Sequence, residues 1–413
     1  MKTAIVVDPY STGHLLAPRL RARGYRVIAV QSSPDLAPSL LLSYVPGDFD
    51  ELVLFDGDLP ALAGRMRAHS PSFVLPGNES AVELADALGA ALGTPGNTPK
   101  LTAARRNKYM MIERLGAAGL LTARQTMVES GAEAVEWAAG AGWPVVAKPL
   151  DSASTDHVYF CDGAPALREA VESILSSRNF CGTPNRRALV QTYLDGGEYV
   201  VNTVSRNGRH YVCDVLQSAK RTLNGSPFVY DYYRLLPPDD ERSIQLMTYI
   251  RHTLDALEIT DGAAHAEVRL TSRGPALVEI AARAMGPAGS TTAISHGTGH
   301  DQVDLLVEAF DSGVCPGGPD GHYRFLADAM VLYLPVLVSG RVEALPDLGV
   351  LDRFESVRGY GIVPRIGARI VPTLDLTQVL AKIYLSHTDR AVFERDWAAI
   401  RDMEESLQPL VTP

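Results

Sequence analysis

Glu267 and Glu279 stand on two short apolar runs either side of Thr-Ser-Arg-Gly-Pro at 271–275. Both runs alternate apolar and polar residues, and the turn formers between them predict a β-hairpin. With a loop of Ser272, Arg273 and Gly274, Thr271 faces Pro275 and Glu267 falls opposite Glu279. A loop one residue shorter would slip that register and weaken the pairing. Opposed residues have Cβ atoms about 4.5–5.5 Å apart, and like charges at that distance destabilise a sheet. A hard divalent cation shared with nucleotide phosphates would neutralise them, and magnesium prefers such sites. The bland alternative is two solvated glutamates on an exposed hairpin.

Other residues fit the same chemistry, each more weakly. Arg283 follows Glu279 and precedes Gly286 where the strand gives way to small residues, and its charge would lie near the same phosphates. An ordinary ion pair would explain it equally well. Lys148 ends an apolar strand before Pro149, a poor place for an ammonium unless its tip reaches an anion or solvent. The following Asp-Ser-Ala-Ser-Thr-Asp, with Ser154 and Thr155, is small and hydroxylated enough for its backbone to close over phosphates. Further on, the segment 191–200 is extended enough to meet an adenine edge, and Glu198, past two glycines, could reach a ribose hydroxyl.

Elements must hold these residues in place. The chain opens as strand, loop, helix, strand (TAIVVD, PYSTGH, LLAPRLRARG, YRVIAV), the alternation of a parallel sheet. The loop 8–14 sits where ligands bind in such sheets. The dinucleotide pattern G-x-G-x-x-G is missing there, and G-x-x-x-x-G-K-[ST] is missing throughout, which removes the usual evidence for a nicotinamide oxidoreductase or a P-loop enzyme. Turn formers at 94–100 mark a boundary. A helix over KYMMIERLGAAG, a strand over WPVVAKP and a hairpin closed by Asn207-Gly208 follow, mixing helices with antiparallel strands.

The chain has 413 residues, with 46% hydrophobic and 21% charged residues, so several ordinary globular units are expected. A net charge of -10 argues against nucleic acid as a partner. The apolar start MKTAIVVD is too short for a signal peptide or a membrane span, so a cytoplasmic location without membrane contact is expected. Cys161, Cys213 and Cys315, with Cys181, are too scattered for a zinc site or a disulfide framework. Oligomeric state is open, a homodimer being the commonest arrangement for soluble enzymes.

Taken in this order, the pieces resemble the ATP-grasp superfamily, most closely its amino-acid ligases that make dipeptides. The resemblance covers about residues 1–330, and 330–413 fit it loosely. It implies an α/β and α+β architecture: a Rossmann-like parallel-sheet domain over 1–105, a first ATP-grasp subdomain with its lid over 106–192, a catalytic core with the metal hairpin over 193–330, and a C-terminal α+β piece over 331–413. It implies ATP as cofactor with Mg²⁺, or Mn²⁺ in its place. Lys108 and Lys148 resemble the two nucleotide-binding lysines, and Ser154 and Thr155 belong to the phosphate-covering loop. Gln191, Thr192 and Leu194 would line the adenine site, the last two through their backbones, and Glu198 would hold the ribose. Glu267 and Glu279 look like the metal ligands and Arg283 like the catalytic arginine. Two departures stand out. Ala281 replaces an Asn of the family pattern, which leaves the number of magnesium ions open. Ala153 and His157 stand where the lid often has Gly.

The activity this implies is an ATP-dependent carboxylate-amine ligase that releases ADP and forms an amide or peptide bond through an acyl phosphate. Its expected substrates are small molecules, an acid and an amine, with amino acids the leading class. The acid would lie near Arg283 and Gly286, whose backbone permits close approach. Glu79 and His265 are candidates to meet an amino group or side chain, His265 having the alternative of a core residue, and Tyr233 is a candidate for the pocket wall. The competing readings are an ATP-grasp carboxylase or purine-pathway relative, and a nucleotide-binding module without turnover, which would not need the full set of lysines, glutamates and arginine.

Overall fold

A computed structural model describes residues 2–34, 36, 38–152, 157–179, 183–286, 288–317, 320–374 and 378–413. Strands β1 (Lys2–Val7), β2 (Tyr25–Gln31), β3 (Glu51–Leu54) and β4 (Pro71–Pro76) form a parallel sheet in the order β3-β2-β1-β4. Every residue of β1 after Lys2 is buried, because both faces of the sheet are covered, and this is why the strand reads as an unbroken apolar run. The chain leaves β1 for β2 on one side and returns with β4 on the other. The loops after β1 and β4 therefore open side by side at the carboxyl edge of the sheet. They touch through two glycines: a Cβ on Gly13 would collide with the backbone of Gly77, and one on Gly77 with the carbonyl of Asp8.

A second sheet, antiparallel in the order β5-β8-β6-β7, comprises β5 (Gln125–Val128), β6 (Val145–Pro149), β7 (Tyr159–Cys161) and β8 (Ala188–Thr192). Helices Gly131–Ala141 and Ala164–Ser176 cover it, burying Ala138, Val145, Val171 and Ile174 together. Lys148 thus pairs with Leu189 near the end of a strand whose Val145 and Ala147 are packed in an apolar core.

The third sheet carries most of the chemistry. Strands β9 (Gly197–Arg206), β10 (Arg209–Leu223), β11 (Ser226–Leu235), β12 (Gly262–Thr271), β13 (Gly274–Ala281) and β14 (Asp328–Pro335) are joined by two later strands. The order is β13-β12-β9-β10-β11-β14-β18-β16, with β16 at Val357–Ile362 and β18 at Val379–His387. The region beyond 330 therefore extends the main sheet. It also adds a small sheet of its own, β17 (Arg369–Ile370), β15 (Gly340–Ala344) and β19 (Leu410–Thr412). Helix Glu241–Ala256 closes one face, its Leu246, Ile250 and Leu254 packing with Val215 and Leu216. The expected turn at Asn207-Gly208 joins β9 to β10, with both residues at positive φ, as a two-residue hairpin turn requires. Among the described residues, no helix is long and apolar enough to cross a membrane.

The β12–β13 hairpin corrects one expectation. Thr271 pairs with Gly274, so the turn is Ser272-Arg273 and not the longer loop. The Thr271 hydroxyl tightens it, donating to the Gly274 carbonyl at 2.7 Å and accepting from the Arg273 amide at 3.1 Å. Continued without a break, this register would put Val278 across from Glu267. A β-bulge intervenes: Val268 pairs with Leu277 and Glu267 with Glu279, leaving Val278 as the extra residue. The carboxylates face each other, by a different route from the one expected.

One acid lies wholly inside this sheet. Asp214 on β10 is opposite Asn202 on β9, which in turn is opposite His265 on β12. The Asn202 Nδ2 donates to Asp214 Oδ1 at 2.7 Å. Burial pushes the Asp214 carboxyl up to about 7, with the Asn202 hydrogen bond pulling the other way.

Gly77→Ala is expected to cost roughly 1–3 kcal/mol, the usual range for overpacking, because the obstacle is backbone. A drop in Tm would record it, and an unmoved Tm would show slack between the two loops. For Asp214 the unfolded carboxyl titrates near about 4, so between there and pH 7 the folded chain keeps a proton that the unfolded chain releases. That contribution favours folding at low pH and is lost as pH rises through 7. Asp214→Asn should therefore gain Tm relative to the parent on going from about pH 4 to pH 8. A difference that stays constant across that range would contradict this.

Candidate active site

The facing carboxylates open into a cleft between the second and third sheets. It is lined by Lys108, Lys148, Gln191, Thr192, Leu194, Glu198, Tyr233, His265, Glu267, Glu279, Arg283 and Gly286, so residues spread over 179 positions of sequence converge on it, from 108 to 286. Ser154 and Thr155 lie outside the described residues.

Lys108 opens the helix Lys108–Ala117, whose first turn is capped by Asn107 accepting from the Met110 amide at 3.1 Å. Its Nζ lies 2.8 Å from Glu279 Oε2 and donates to the Ser152 carbonyl at 2.6 Å, tying the carboxylate to the start of the loop after β6. Burial alone would raise the Glu279 carboxyl, but the Lys108 and Lys148 charges overcome it and hold the group at about 2. Burial would likewise lower Lys108, and Glu279 more than offsets it, leaving the ammonium above its ordinary value. Among the described residues Lys148 has no such close partner. Burial brings it down to about 8, with Glu279 the main opposing influence.

At the far end of the cleft, Glu198 is clamped. Lys220 Nζ approaches at 2.7 Å, Arg269 at 3.0 Å and the Ser218 hydroxyl at 3.3 Å. Burial would raise this carboxyl, and the two cations keep it low. Lys220 also sits 4.6 Å from the centroid of the Tyr230 ring. Neither cation stands out in the sequence. Their signal is register: Arg269 is the cross-strand partner of Glu198, and Lys220 lies two residues beyond its other partner, Ser218. Beside them the Gln191 side chain donates to Gln125 at 3.0 Å. The amide of Thr192 is taken by the Arg124 carbonyl at 2.9 Å and that of Tyr193 by the Pro144 carbonyl at 3.2 Å.

The near end is built from the first sheet. Glu79, in the turn after β4, accepts from Arg283 Nε at 2.9 Å through one oxygen and from Arg106 through the other. Burial works against its ionisation, and the two guanidinium groups hold it ionised. Its oxygens are thus committed to arginines rather than open to an amino group. The loop after β1 reaches the loop after β13, where the Thr12 hydroxyl donates to the Met285 carbonyl at 2.6 Å. A Cβ on Gly286 would lie 3.4 Å from the Ser11 hydroxyl, so the two loops are within a side chain of contact. Tyr233 is buried and meets Tyr230 and Tyr333 edge to face, with centroids 6.0 and 5.7 Å away.

A model of the ATP-grasp domain matches residues 141–292. Dapdiamide A synthase of Enterobacter agglomerans is 34% identical over 417 aligned positions, covering 97% of this chain and 95% of that protein. The crystal structure of an L-amino acid ligase from Bacillus licheniformis superposes with a TM-score of 0.77 at 20% identity, covering 100% of this chain and 99% of the other. N5-carboxyaminoimidazole ribonucleotide synthetase from Thermotoga maritima superposes with a TM-score of 0.69 at 15% identity, over 100% of both chains. A near full-length relative, a matching domain and a cleft holding lysines, opposed carboxylates and an arginine agree, and the chain belongs to the ATP-grasp family as an ATP-dependent ligase that forms amides.

Proposed function

We propose that this ligase joins two amino acids, phosphorylating the carboxylate of one and passing the acyl group to the amine of the other. The observation that carries the reading is the Glu267–Glu279 pair, held against Lys108 in the same cleft as Glu198 and Arg283. The relative named dapdiamide A synthase and the structural neighbour named L-amino acid ligase support amino acids as substrates over bicarbonate or a purine precursor.

The adenine and ribose would lie against Gln191, the carbonyl of Thr192, Leu194 and Glu198. The amide of Thr192 is already used, so its carbonyl is the group left to meet an amino edge. Lys220 and Arg269 fix Glu198 as an ionised acceptor for ribose hydroxyls. Lys148 and Lys108 would bind the phosphates, with the loop holding Ser154 and Thr155 closing over them to exclude water.

Magnesium fits the carboxylate pair. Both ligands are hard oxygens, and the Lys108 ammonium already lies against Glu279 as a cation would. Among the described residues no cluster of three or more His, Cys, Asp or Glu is arranged to hold a metal by itself, so phosphate oxygens would have to complete the shell. When bound, the ion would neutralise charge on the phosphate being transferred. Arg283, oriented by Glu79, would hold the substrate carboxylate and the transferred phosphoryl group, with Gly286 allowing the acid to approach the backbone. Tyr233 would wall the pocket. The divisions 1–105, 106–192, 193–330 and 331–413 then correspond to acid-side wall, lid, catalytic sheet and its extension.

The test is ADP and phosphate release with ATP, magnesium and pooled amino acids, followed by mass spectrometry for condensed pairs. A product weighing two amino acids less one water, formed with stoichiometric ADP, would establish the reaction and name the substrates. ADP release without any such product would sink it. Glu279→Gln keeps volume and removes one metal-facing charge, so turnover should fall by roughly 100-fold or more while the chain still unfolds in one cooperative transition, at a lower Tm because Lys108 loses its partner. Activity within a few-fold of the parent would remove Glu279 from the metal site. Lys148→Ala should weaken ATP binding by roughly tenfold or more in a nucleotide titration, and equal affinities would contradict a phosphate role.

A further inference from the structure

Ser11 stands at φ 52°, in the left-handed region that disfavours a side chain and suits glycine. The loop after β1 holds it there from both sides. Its amide donates to Ser43 Oγ at 2.7 Å, and its carbonyl accepts from His14 Nδ1. Next in the chain, the Thr12 hydroxyl is tied to the Met285 carbonyl, and Gly13 is pressed against Gly77. The Ser11 hydroxyl itself makes no hydrogen bond among the described residues. It stands 3.4 Å from where a Cβ on Gly286 would lie, beside the backbone that lines the cleft at the acid's end. A glycine would relieve the backbone strain and lose only the hydroxyl. A strained residue whose hydroxyl has no partner in the chain points to a partner outside it.

The groups around Ser11 say what kind of partner fits. Asp8 accepts from the amide and hydroxyl of Ser32 and from the Ser80 hydroxyl. Glu79 is taken by Arg283 and Arg106. Asn78, 6% exposed, accepts from the Ser80 amide at 2.9 Å through Oδ1, and because an amide N–H can only donate, this fixes which end of the side chain is oxygen. The other end, Nδ2, is buried without a partner among the described residues. At this edge of the first sheet these side-chain acceptors are spent, while one O–H and one N–H are not. We propose that Ser11 is a specificity-determining residue whose hydroxyl donates to an acceptor on the side chain of the acid, an amide carbonyl or a second carboxylate. Acids carrying such a group are selected over apolar acids of the same size. The proposal rests on the acyl-phosphate reading above. An apolar side chain would strip water from the hydroxyl and put nothing in its place, and that cost is the discrimination. Asn78 adds a second unspent donor in the neighbouring loop, which Gly77 packs against Asp8 and Gly13.

Hydroxylamine in large excess reads the acid half of the reaction alone, since it captures an acyl phosphate as hydroxamate whatever amine the enzyme prefers. With ATP and magnesium, hydroxamate formation is measured for the common amino acids one at a time. The acid kcat/KM is then compared between side chains of similar size: asparagine and aspartate against leucine, glutamine and glutamate against methionine. In the parent an acid with a side-chain acceptor should lead its apolar counterpart by roughly tenfold or more, the scale of one hydrogen bond made or left unmade. Ser11→Gly and Ser11→Ala should both erase most of that lead through the KM of the acid, with the KM of ATP little changed. They should differ in Tm, with Ser11→Gly above Ser11→Ala, because only glycine relaxes the backbone. A merely structural serine would give another pattern, in which the lead follows Tm and Ser11→Gly keeps it. A parent with no such lead in either comparison, or a lead that survives in either variant, would overturn the proposal. Hydroxamate absent with every acid would overturn the acyl-phosphate reading itself, and with it this inference.

Discussion

Two carboxylates facing each other across a hairpin are a liability that the rest of the molecule is arranged to manage. Glu267 and Glu279 would repel at cross-strand distance in a low-dielectric cleft. Lys108 is brought from a helix more than a hundred residues away to lie against one of them. Lys148 sits behind, paying for its burial with a lowered affinity for its proton. The same arrangement that makes an unliganded pair tolerable makes it receptive to a divalent cation and phosphates. Affinity for nucleotide and stability of the free chain are thus two readings of one electrostatic compromise.

Charge is balanced at both ends of the cleft by the same device, a carboxylate gripped by two cations. Glu198 is held by Lys220 and Arg269 and Glu79 by Arg283 and Arg106. In each case the carboxylate keeps the two cations from splaying into solvent. A guanidinium so gripped has little rotamer freedom left to lose on meeting its ligand.

Much of this was legible in the sequence because it is local. The opposed glutamates follow from period-two alternation around a turn, and Lys148, Arg283 and Gly286 from their places at strand ends. The bulge at Val278 was not legible, since a valine in a strand looks the same whether or not it is the extra residue. The expected longer loop and the observed short turn plus bulge give the same pairing, so the two carboxylates face each other despite an incorrect turn. Lys220 and Arg269 were missed for a different reason. Arg269 meets Glu198 across strands that the chain joins through a long excursion, and Lys220 reaches Glu198 across a hairpin whose register is shifted by a bulge between Val212 and Asp214. Glu79 was noticed but read as open to substrate, because nothing in PGNES indicates that Arg106 and Arg283 converge on it.

The hydrogen bond from Thr12 to Met285, with Gly286 packed beside Ser11, stitches the first sheet to the loop that carries Arg283. This limits how the protein can be recombined. A first domain borrowed from a relative would arrive with its own 11–12 loop and would misplace the arginine unless the 283–286 stretch came with it. Exchange of an internal segment with both crossovers between residues 13 and 282 leaves this contact intact, whereas any single crossover in that stretch brings in one loop without the other, so the two segments should be inherited as a pair.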